Sequence, residues 1–435
     1  MPRIGILCKI IKRLDNITQE KEEFFMKYPR YLKYSLLQSF KASPIVLLIG
    51  PRQCGKTTLM KEIGEELGMQ YISFDTLKQL SAAQEDPEGF VNALSQPVII
   101  DEVQRVPQIA LPIKLKVDEE RRLGFFGLTG SANPLVAPKL NDSLAGRMFI
   151  HHLWPLSMGE IQQKKSRFLE SIFDPNAMFS NGSYWDRESL IEILSQGGYP
   201  NSFSLDEEMR DRWYDNLLTT ILERDVSDIA NIAKPRDIAK LLNILATRSA
   251  SLLNISELSR IASIPYTTLN NYLVLLESLF LIIRQPAWRL NRAKRLIKMP
   301  KLYFGDTGLL INQLRVGKEV ILDSGRLFGS LLENFVFLEL KKLSTWSLQS
   351  VGLYHYRTQT GSEVDIVLEN RKGQIVGIEV KSSQTISSED WKGLDILGEE
   401  MEDKMVRGII FYLGKEVVFF QKNRIALPIS FLWEA

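Results

Sequence analysis

The residues Gly50-Pro51-Arg52-Gln53-Cys54-Gly55-Lys56-Thr57 fit the pattern G-x-x-x-x-G-K-[ST] without a gap, and Thr58 follows directly. Residues of these types at this spacing do phosphate chemistry. The glycines permit a loop whose amides point inward at phosphate oxygens. Lys56 supplies a mobile cation for the outer phosphates, and the Thr57 hydroxyl can join a magnesium shell. The stretch Gly50–Thr58 is therefore the expected ATP-binding element, with Cys54 a small residue at a variable loop position. A second element is Val98-Ile99-Ile100-Asp101-Glu102, an apolar run that ends in two acids. Asp101 is expected to hold Mg2+ through water, and Glu102 to polarise the attacking water, which favours hydrolysis over transfer to an acceptor. A third is Thr129-Gly130-Ser131, where Ser131 is expected to position water or sense the γ-phosphate.

These residues need a scaffold that delivers them to one edge. Ile45–Ile49 is continuously apolar, as for a strand buried on both faces. Further apolar runs at Tyr71–Phe74, Val98–Ile100, Phe125–Leu128 and Met148–Leu153 alternate with helical stretches. That alternation predicts an open parallel α/β sheet. From Met158 the strand signal stops, and helices broken by Gly197-Gly198-Tyr199-Pro200 follow. The expected divisions are an amino-terminal extension (1–27), a P-loop core (28–157), a helical connector (158–232), a middle domain (233–305) and a carboxyl-terminal domain (306–435).

In the middle, Ile255–Ala262 reads as a short capped helix with Ser256 at its start. The turn Ser263-Ile264-Pro265 and a second helix, Tyr266–Leu279, follow it. This is helix-turn-helix spacing, with Tyr266, Thr267, Asn270 and Asn271 on the expected front of the recognition helix. Between Arg284 and Lys301 there are seven Lys or Arg residues, no acid, and an interleaved Trp288. Residues 266–301 are thus an expected DNA-binding stretch, the alternative being a winged helix used for protein packing. Near the carboxyl end, Glu363–Leu368 and Gln374–Lys381 form two alternating strands around a turn. Glu379 and Lys381 share a face that Asp365 can reach, and Glu333 lies upstream in an apolar helix. Such acids could hold a second divalent metal, Mg2+ or Mn2+, with Lys381 steadying hydroxide or a scissile phosphate.

The Gly50–Thr57 loop, Asp101-Glu102-Val103-Gln104, Thr129-Gly130-Ser131 and Leu144-Ala145-Gly146-Arg147 together resemble prokaryotic AAA-type ATPases of the "GPRQ-GKT" group. The likeness continues through Gly197-Gly198-Tyr199-Pro200, Glu223-Arg224-Asp225-Val226 and Tyr303-Phe304-x-Asp306-x-Gly308-Leu309. It implies a multidomain α/β chain: an AAA+-like sheet, a helical and winged-helix-like middle, and a small α/β nuclease-like end. The Asp365…Glu379-x-Lys381 set resembles the PD-(D/E)XK nucleases, with Val364 where that name has proline. In such ATPases an arginine completes the site, from a neighbouring subunit of a homo-oligomer or from the lid. By position Arg147 is the first candidate and Arg224 the second.

Composition sets bounds. Lys and Arg total 54 against 52 acids, a formal charge of +2, so any nucleic-acid surface must be local. Two cysteines, Cys8 and Cys54, and three histidines exclude a disulfide scaffold and a thiolate or imidazole metal centre. The apolar Ile4–Cys8 is interrupted by Lys9, Lys12 and Arg13, too soon for a span or signal peptide, so a cytoplasmic protein is expected. The leading expectation is Mg2+-dependent ATP hydrolysis coupled to action on DNA or a protein partner. Two alternatives stand beside it: a slow-turnover nucleotide switch, and a metal-dependent nuclease regulated by ATP.

Overall fold

The computed structural model describes residues 28–131, 144–179, 181–226, 235–289, 299–421 and 423–435. Expectations that fall on residues 1–27 lie outside these. Five strands, β1 (Ile45–Ile49), β2 (Gln70–Ser73), β3 (Val98–Asp101), β4 (Phe126–Gly130) and β5 (Met148–His152), pair in parallel in the order β2-β3-β4-β1-β5. The apolar run of β1 serves two cores. Val46 and Leu48 pack with Leu32, Leu36 and Phe40 of the helix Leu32–Ala42, and with Leu59 and Met60 of the helix Lys56–Leu67. Ile45, Leu47 and Ile49 face the opposite layer with Ile72, Ile100 and Leu128. The period of two in a strand makes this division, and burial on both faces removes any polar alternation from the sequence. Because β4 lies between β1 and β3, the loops leaving all three strands emerge side by side on one crest. Open α/β sheets bind ligands at such carboxyl ends.

The middle of the chain runs helix Pro235–Ala246, β6 (Ser251–Leu252), helix Ile255–Ala262, helix Tyr266–Ser278, β7 (Ile282–Gln285) and β8 (Lys301–Phe304). The strands form an antiparallel sheet ordered β6-β8-β7. The cap of helix Ile255–Ala262 is Asn254, whose side chain accepts from the Glu257 amide at 3.1 Å, and not Ser256. Asn254 has the extended backbone that an N-cap needs, whereas Ser256 is already inside the first turn.

The last part is a six-stranded mixed sheet, β9 (Val351–Arg357), β10 (Glu363–Asn370), β11 (Ile375–Val380), β12 (Met405–Tyr412), β13 (Val418–Gln421) and β14 (Arg424–Pro428), in the order β13-β14-β12-β11-β10-β9. The helix Gly325–Leu343 covers one face through Leu331, Phe335 and Leu338, and the helix Lys392–Met401 covers the other through Leu394 and Leu397. One apolar core runs from Met158 to Trp433 and takes in the connector, the middle and this sheet.

In the stretch 284–301 the described basic residues are Arg284, Arg289 and Lys301. Arg284 is bound by Glu277 at 2.6 Å, Arg289 donates to the Arg357 carbonyl, and Lys301 is buried. Trp288 is 2% exposed and packs with Tyr356 and Val367 of the six-stranded sheet. Its amide donates to His355 O, which stitches this segment onto β9. An aromatic between cations reads as a stacking platform, yet the same pattern serves a strand that buries its indole. Arg292, Lys294, Arg295 and Lys298 lie outside the described residues. On the second helix Tyr266, Thr267 and Asn271 are exposed and Asn270 is half-buried. Among the described residues, no helix is long and apolar enough to cross a membrane.

Candidate functional site: the phosphate loop and its surroundings

The loop Gly50–Gly55 leaves β1 and enters the helix Lys56–Leu67. A Cβ on Gly50 would meet the Leu153 carbonyl oxygen at 2.0 Å, so only glycine lets the loop pass under the end of β5. Gly55 has φ +99°, a left-handed turn that starts the helix with its first amides free of intrahelical partners. Cys54 is fully buried, its thiol donating to Leu153 O at 3.3 Å, and burial pushes that thiol up. The Lys56 ammonium folds back over its own loop, donating to Gly50 O at 3.0 Å and Pro51 O at 2.8 Å. The Thr57 hydroxyl lies 3.2 and 3.1 Å from the two Asp101 carboxylate oxygens. A hydroxyl and a carboxylate converging beside an ammonium and a helix start form a set that fits a magnesium–phosphate group.

Asp101, at the end of β3, accepts three hydroxyls: Thr57, Thr129 from β4, and Tyr71 from β2 at 2.7 Å. Burial and the Asp101 carboxylate push the Tyr71 phenol well above its ordinary range, so it remains a donor. Glu102 follows with φ +59°, a strained conformation for a residue with a side chain. Its amide is held by Thr129 Oγ1 at 3.1 Å. Gln104, in the turn Val103–Arg105, donates its amide to both the Glu102 carboxylate and, at 3.0 Å, Ser131 Oγ. Glu102 and Ser131 are thus joined by one side chain. In the sequence Gln104 stands in a motif without an assigned role, and Tyr71 is visible only as the start of an apolar run.

The two arginines part company. Arg147 immediately precedes β5, and Ile45 of β1 aligns with Met148, so Arg147 stands at the amino-terminal edge of the sheet. It is bound there by Asp118 at 2.5 and 2.9 Å, one strand length from the loop after Ile49. Arg224 lies in a π-helical turn, Ile221–Asp225, that continues the helix Glu207–Thr220. It reaches Asp75 at 3.2 Å, just beyond β2, on the same crest as Asp101. Arg105 meets the same carboxylate at 2.9 Å.

Beside the loop is a cleft of about 240 Å³ lined by Tyr28, Arg30, Thr58, Leu59, Leu156 and Pro200. Arg30 fixes its wall by donating to Trp154 O at 2.5 Å and Cys54 O at 3.3 Å. Gly197-Gly198-Tyr199-Pro200 closes over it, with Leu156 N donating to Gly198 O at 2.7 Å and Asn201 reaching Gln53 at 3.4 Å. The segment is anchored by Asp306, buried, which accepts from the Gly198 amide at 2.7 Å, Tyr214 OH at 2.9 Å and the Leu309 amide at 3.0 Å. Cβ atoms on Gly197 and Gly308 would each come within 2.3 Å of the Tyr214 hydroxyl. Two separate glycine motifs of the sequence therefore make a single node.

Of the expected carboxyl-terminal acids, Glu333 and Asp365 meet around an ammonium together with Glu363, which the sequence did not single out, and Glu379 stands apart with Lys381. Lys301, from β8, lies 2.7 Å from Glu333, 2.8 Å from Glu363 and 3.0 Å from Asp365. Lys381 pairs with Glu379 at 3.2 Å. Among the described residues no group of three or more His, Cys, Asp or Glu is arranged to hold a metal ion. Lys301 brings a positive charge to Glu333, Glu363 and Asp365 from within the chain. Burial, then the Asp365 charge, push Glu333 up to about 8. The same causes push Glu379 well up. Asp365 is held below the usual range, because Lys301 outweighs the effect of its burial.

Three stretches of the chain match known families. Residues 42–162 match the family described as AAA domain, residues 187–320 a domain of unknown function (DUF8612), and residues 328–432 another (DUF4143). The uncharacterized protein Rv2008c of Mycobacterium tuberculosis is 30% identical over 388 residues, 89% of this chain and 77% of that protein. An uncharacterized protein of Haemophilus influenzae is 24% identical over 333 residues, 70% of this chain and 76% of that one. Among solved structures, the Walker-type ATPase PABY2304 of Pyrococcus abyssi is similar at a TM-score of 0.41 and 14% identity, covering 65% of this chain and 94% of that one.

Proposed function

Because this chain belongs to the family of the mycobacterial protein Rv2008c, and is a P-loop ATPase with an AAA domain over residues 42–162, we propose that it hydrolyses ATP with magnesium and couples the nucleotide state to a partner, DNA or protein. The observation that carries this reading is the approach of the Thr57 hydroxyl to Asp101, 3.1 Å, beside the loop that Lys56 spans. Thr57 and Asp101 would hold magnesium, which supplies charge neutralisation of the phosphates when bound. Lys56 leaves the Gly50 and Pro51 carbonyls for the outer phosphates. The remaining loop positions, Pro51, Arg52, Gln53 and Thr58, shape the cradle. Glu102 polarises the attacking water, Ser131 senses the terminal phosphate, and Tyr28 and Pro200 border the space for the base. Arg224, on the crest, is the better placed of the two arginines to meet developing charge in the same chain. Arg147 could serve only a neighbouring copy.

Coupling follows from the Gly197–Asn201 segment, which touches the phosphate loop at Gln53 and is pinned to the middle of the chain by Asp306. The order helix, strand, helix, helix, strand, strand over residues 235–304 supports a winged-helix reading, and the exposed Tyr266, Thr267 and Asn271 are its partner-facing residues. The assay that tests the whole reading is phosphate release with and without Mg2+ and duplex DNA. Turnover that is absent in every arm, or unaffected by chelation, overturns it; stimulation by DNA selects DNA as the partner.

One observation favours a restrained basal rate: Gln104 holds Glu102 and Ser131 together. Freeing Glu102 with Gln104→Ala is expected to raise basal turnover about fivefold, the equivalent of the ~1 kcal/mol net worth of one hydrogen bond. A lower rate in Gln104→Ala would make the amide a positioning group for hydrolysis instead.

A further inference from the structure

The carboxylates of the six-stranded sheet raise a question that the phosphate loop does not answer. Glu333, Glu363 and Asp365 meet in a buried place, and hard divalent cations bind such oxygen sets. We infer that the resident cation of this cluster is the Lys301 ammonium, that it takes the place a divalent ion would fill, and that the chain holds no metal there.

The geometry of an ammonium matches the cluster group for group. A lysine has three N–H donors and no acceptor. Three carboxylates surround it: Asp365 accepts a hydrogen bond at 3.0 Å, and Glu333 and Glu363 stand at ion-pair distances of 2.7 and 2.8 Å. Lys301 is 2% exposed, so its head is sealed in rather than resting on a rim. Other donors reach the same carboxylates: the Val380 amide donates to the second Asp365 oxygen at 3.0 Å, Arg357 to the second Glu363 oxygen at 2.8 Å, and the Tyr303 hydroxyl at 2.6 Å to the Glu333 oxygen that Lys301 contacts. Tyr303 is itself stacked on Phe337, ring centroids 4.0 Å apart, which fixes β8 against the helix that carries Glu333. A metal would have to displace a buried ammonium, whose own charge would then be left without its three partners.

The origin of the cation matters as much as its position. Lys301 opens β8, a strand of the three-stranded sheet, whereas Asp365 and Glu379 belong to the six-stranded one. The middle of the chain thus supplies the charge that the carboxyl-terminal sheet lacks. Docking of the two sheets and closure of the acid cluster become one event.

The test uses the full chain without nucleotide and Mn2+ alone, with free ion counted by its EPR signal. Wild type and Asp365→Asn are expected to give the same binding curve. Lys301→Met is expected to gain one Mn2+ per chain, and the double variant Lys301→Met/Asp365→Asn to lose it again. Where Lys301→Met does not fold, Lys301→Gln, which keeps a donor toward the acids, takes its place with the same expectation. Wild-type binding that Asp365→Asn removes overturns the inference, as does a folded Lys301→Met or Lys301→Gln that gains no ion. If neither variant folds, identical curves for wild type and Asp365→Asn support it.

Discussion

Lys56→Ala is expected to abolish ATP binding, while Glu102→Gln binds ATP as wild type does and fails to turn it over. The two residues stand on the same crest but act on different species. Lys56 contributes a charge to the ground-state phosphates; it already spans the loop, bonded to carbonyls at 2.8 and 3.0 Å that it can exchange for phosphate oxygens. Two charge-assisted bonds lost at ~1.5–3 kcal/mol each weaken binding by a hundredfold or more, about the limit of a fluorescent-nucleotide titration. Glu102 touches no loop atom, and its carboxylate is engaged by Gln104. Glutamine keeps its shape and removes its basicity, so phosphate release should fall by about 10²–10⁴, the ordinary worth of a positioned base. Equal rates for wild type and Glu102→Gln would remove Glu102 from the chemistry.

Asp306→Ala is expected to lower stability by about 3–4 kcal/mol and Tm by about 6–12 °C. The substitution strips acceptors from the Gly198 amide, the Tyr214 hydroxyl and the Leu309 amide, and removes the cap of the helix Thr307–Leu314. Each is buried, so none finds water in exchange. Since Gly198 also carries the segment over the phosphate cleft, ATP affinity should fall in the folded fraction as well. Calorimetric melting with and without ATP separates the two effects. A Tm within 2 °C of wild type, less than the loss of about one hydrogen bond, would show that the node carries little weight.

The phosphate loop was legible because its chemistry is contiguous: the glycines, Lys56 and Thr57 lie within one turn of chain. The strands were legible for a related reason, since burial on both faces leaves unbroken runs such as Ile45–Ile49. What escaped was set by direction and by distance along the chain. Arg147 was chosen by motif order, which carries no direction: it precedes a strand parallel to β1 and stands at the edge opposite the loop, where only the expected role toward a neighbouring copy is open to it. Lys301 was counted among seven basic residues as a solvated stripe, because nothing local distinguishes a buried ammonium from an exposed one. Its partners are 32 to 64 positions away, and Glu333 and Asp365, read without it, were expected to hold an outside ion. Tyr71 meets Asp101 only because β2 and β3 are neighbours, a pairing that no run of residues announces.

The helix Phe431–Glu434 has a consequence for how the chain is made. Its Trp433 packs edge-on against Trp185 with ring centroids 5.9 Å apart, Glu434 binds Lys164 at 2.9 Å and the Ser183 amide at 2.6 Å, and the Ala435 carbonyl accepts from the Arg167 amide at 2.8 Å. These partners leave the ribosome 248 to 270 residues before the helix that completes them. All five strands of the nucleotide-binding sheet, by contrast, lie between residues 45 and 152 and can pair while synthesis continues. The nascent chain therefore holds a finished sheet next to an unfinished apolar surface around Phe168 and Ile172, which waits for the last helix. Such a long-range closure is slow and exposes surface that associates. A stalled or shortened product should accordingly aggregate through its connector while its first sheet is still intact.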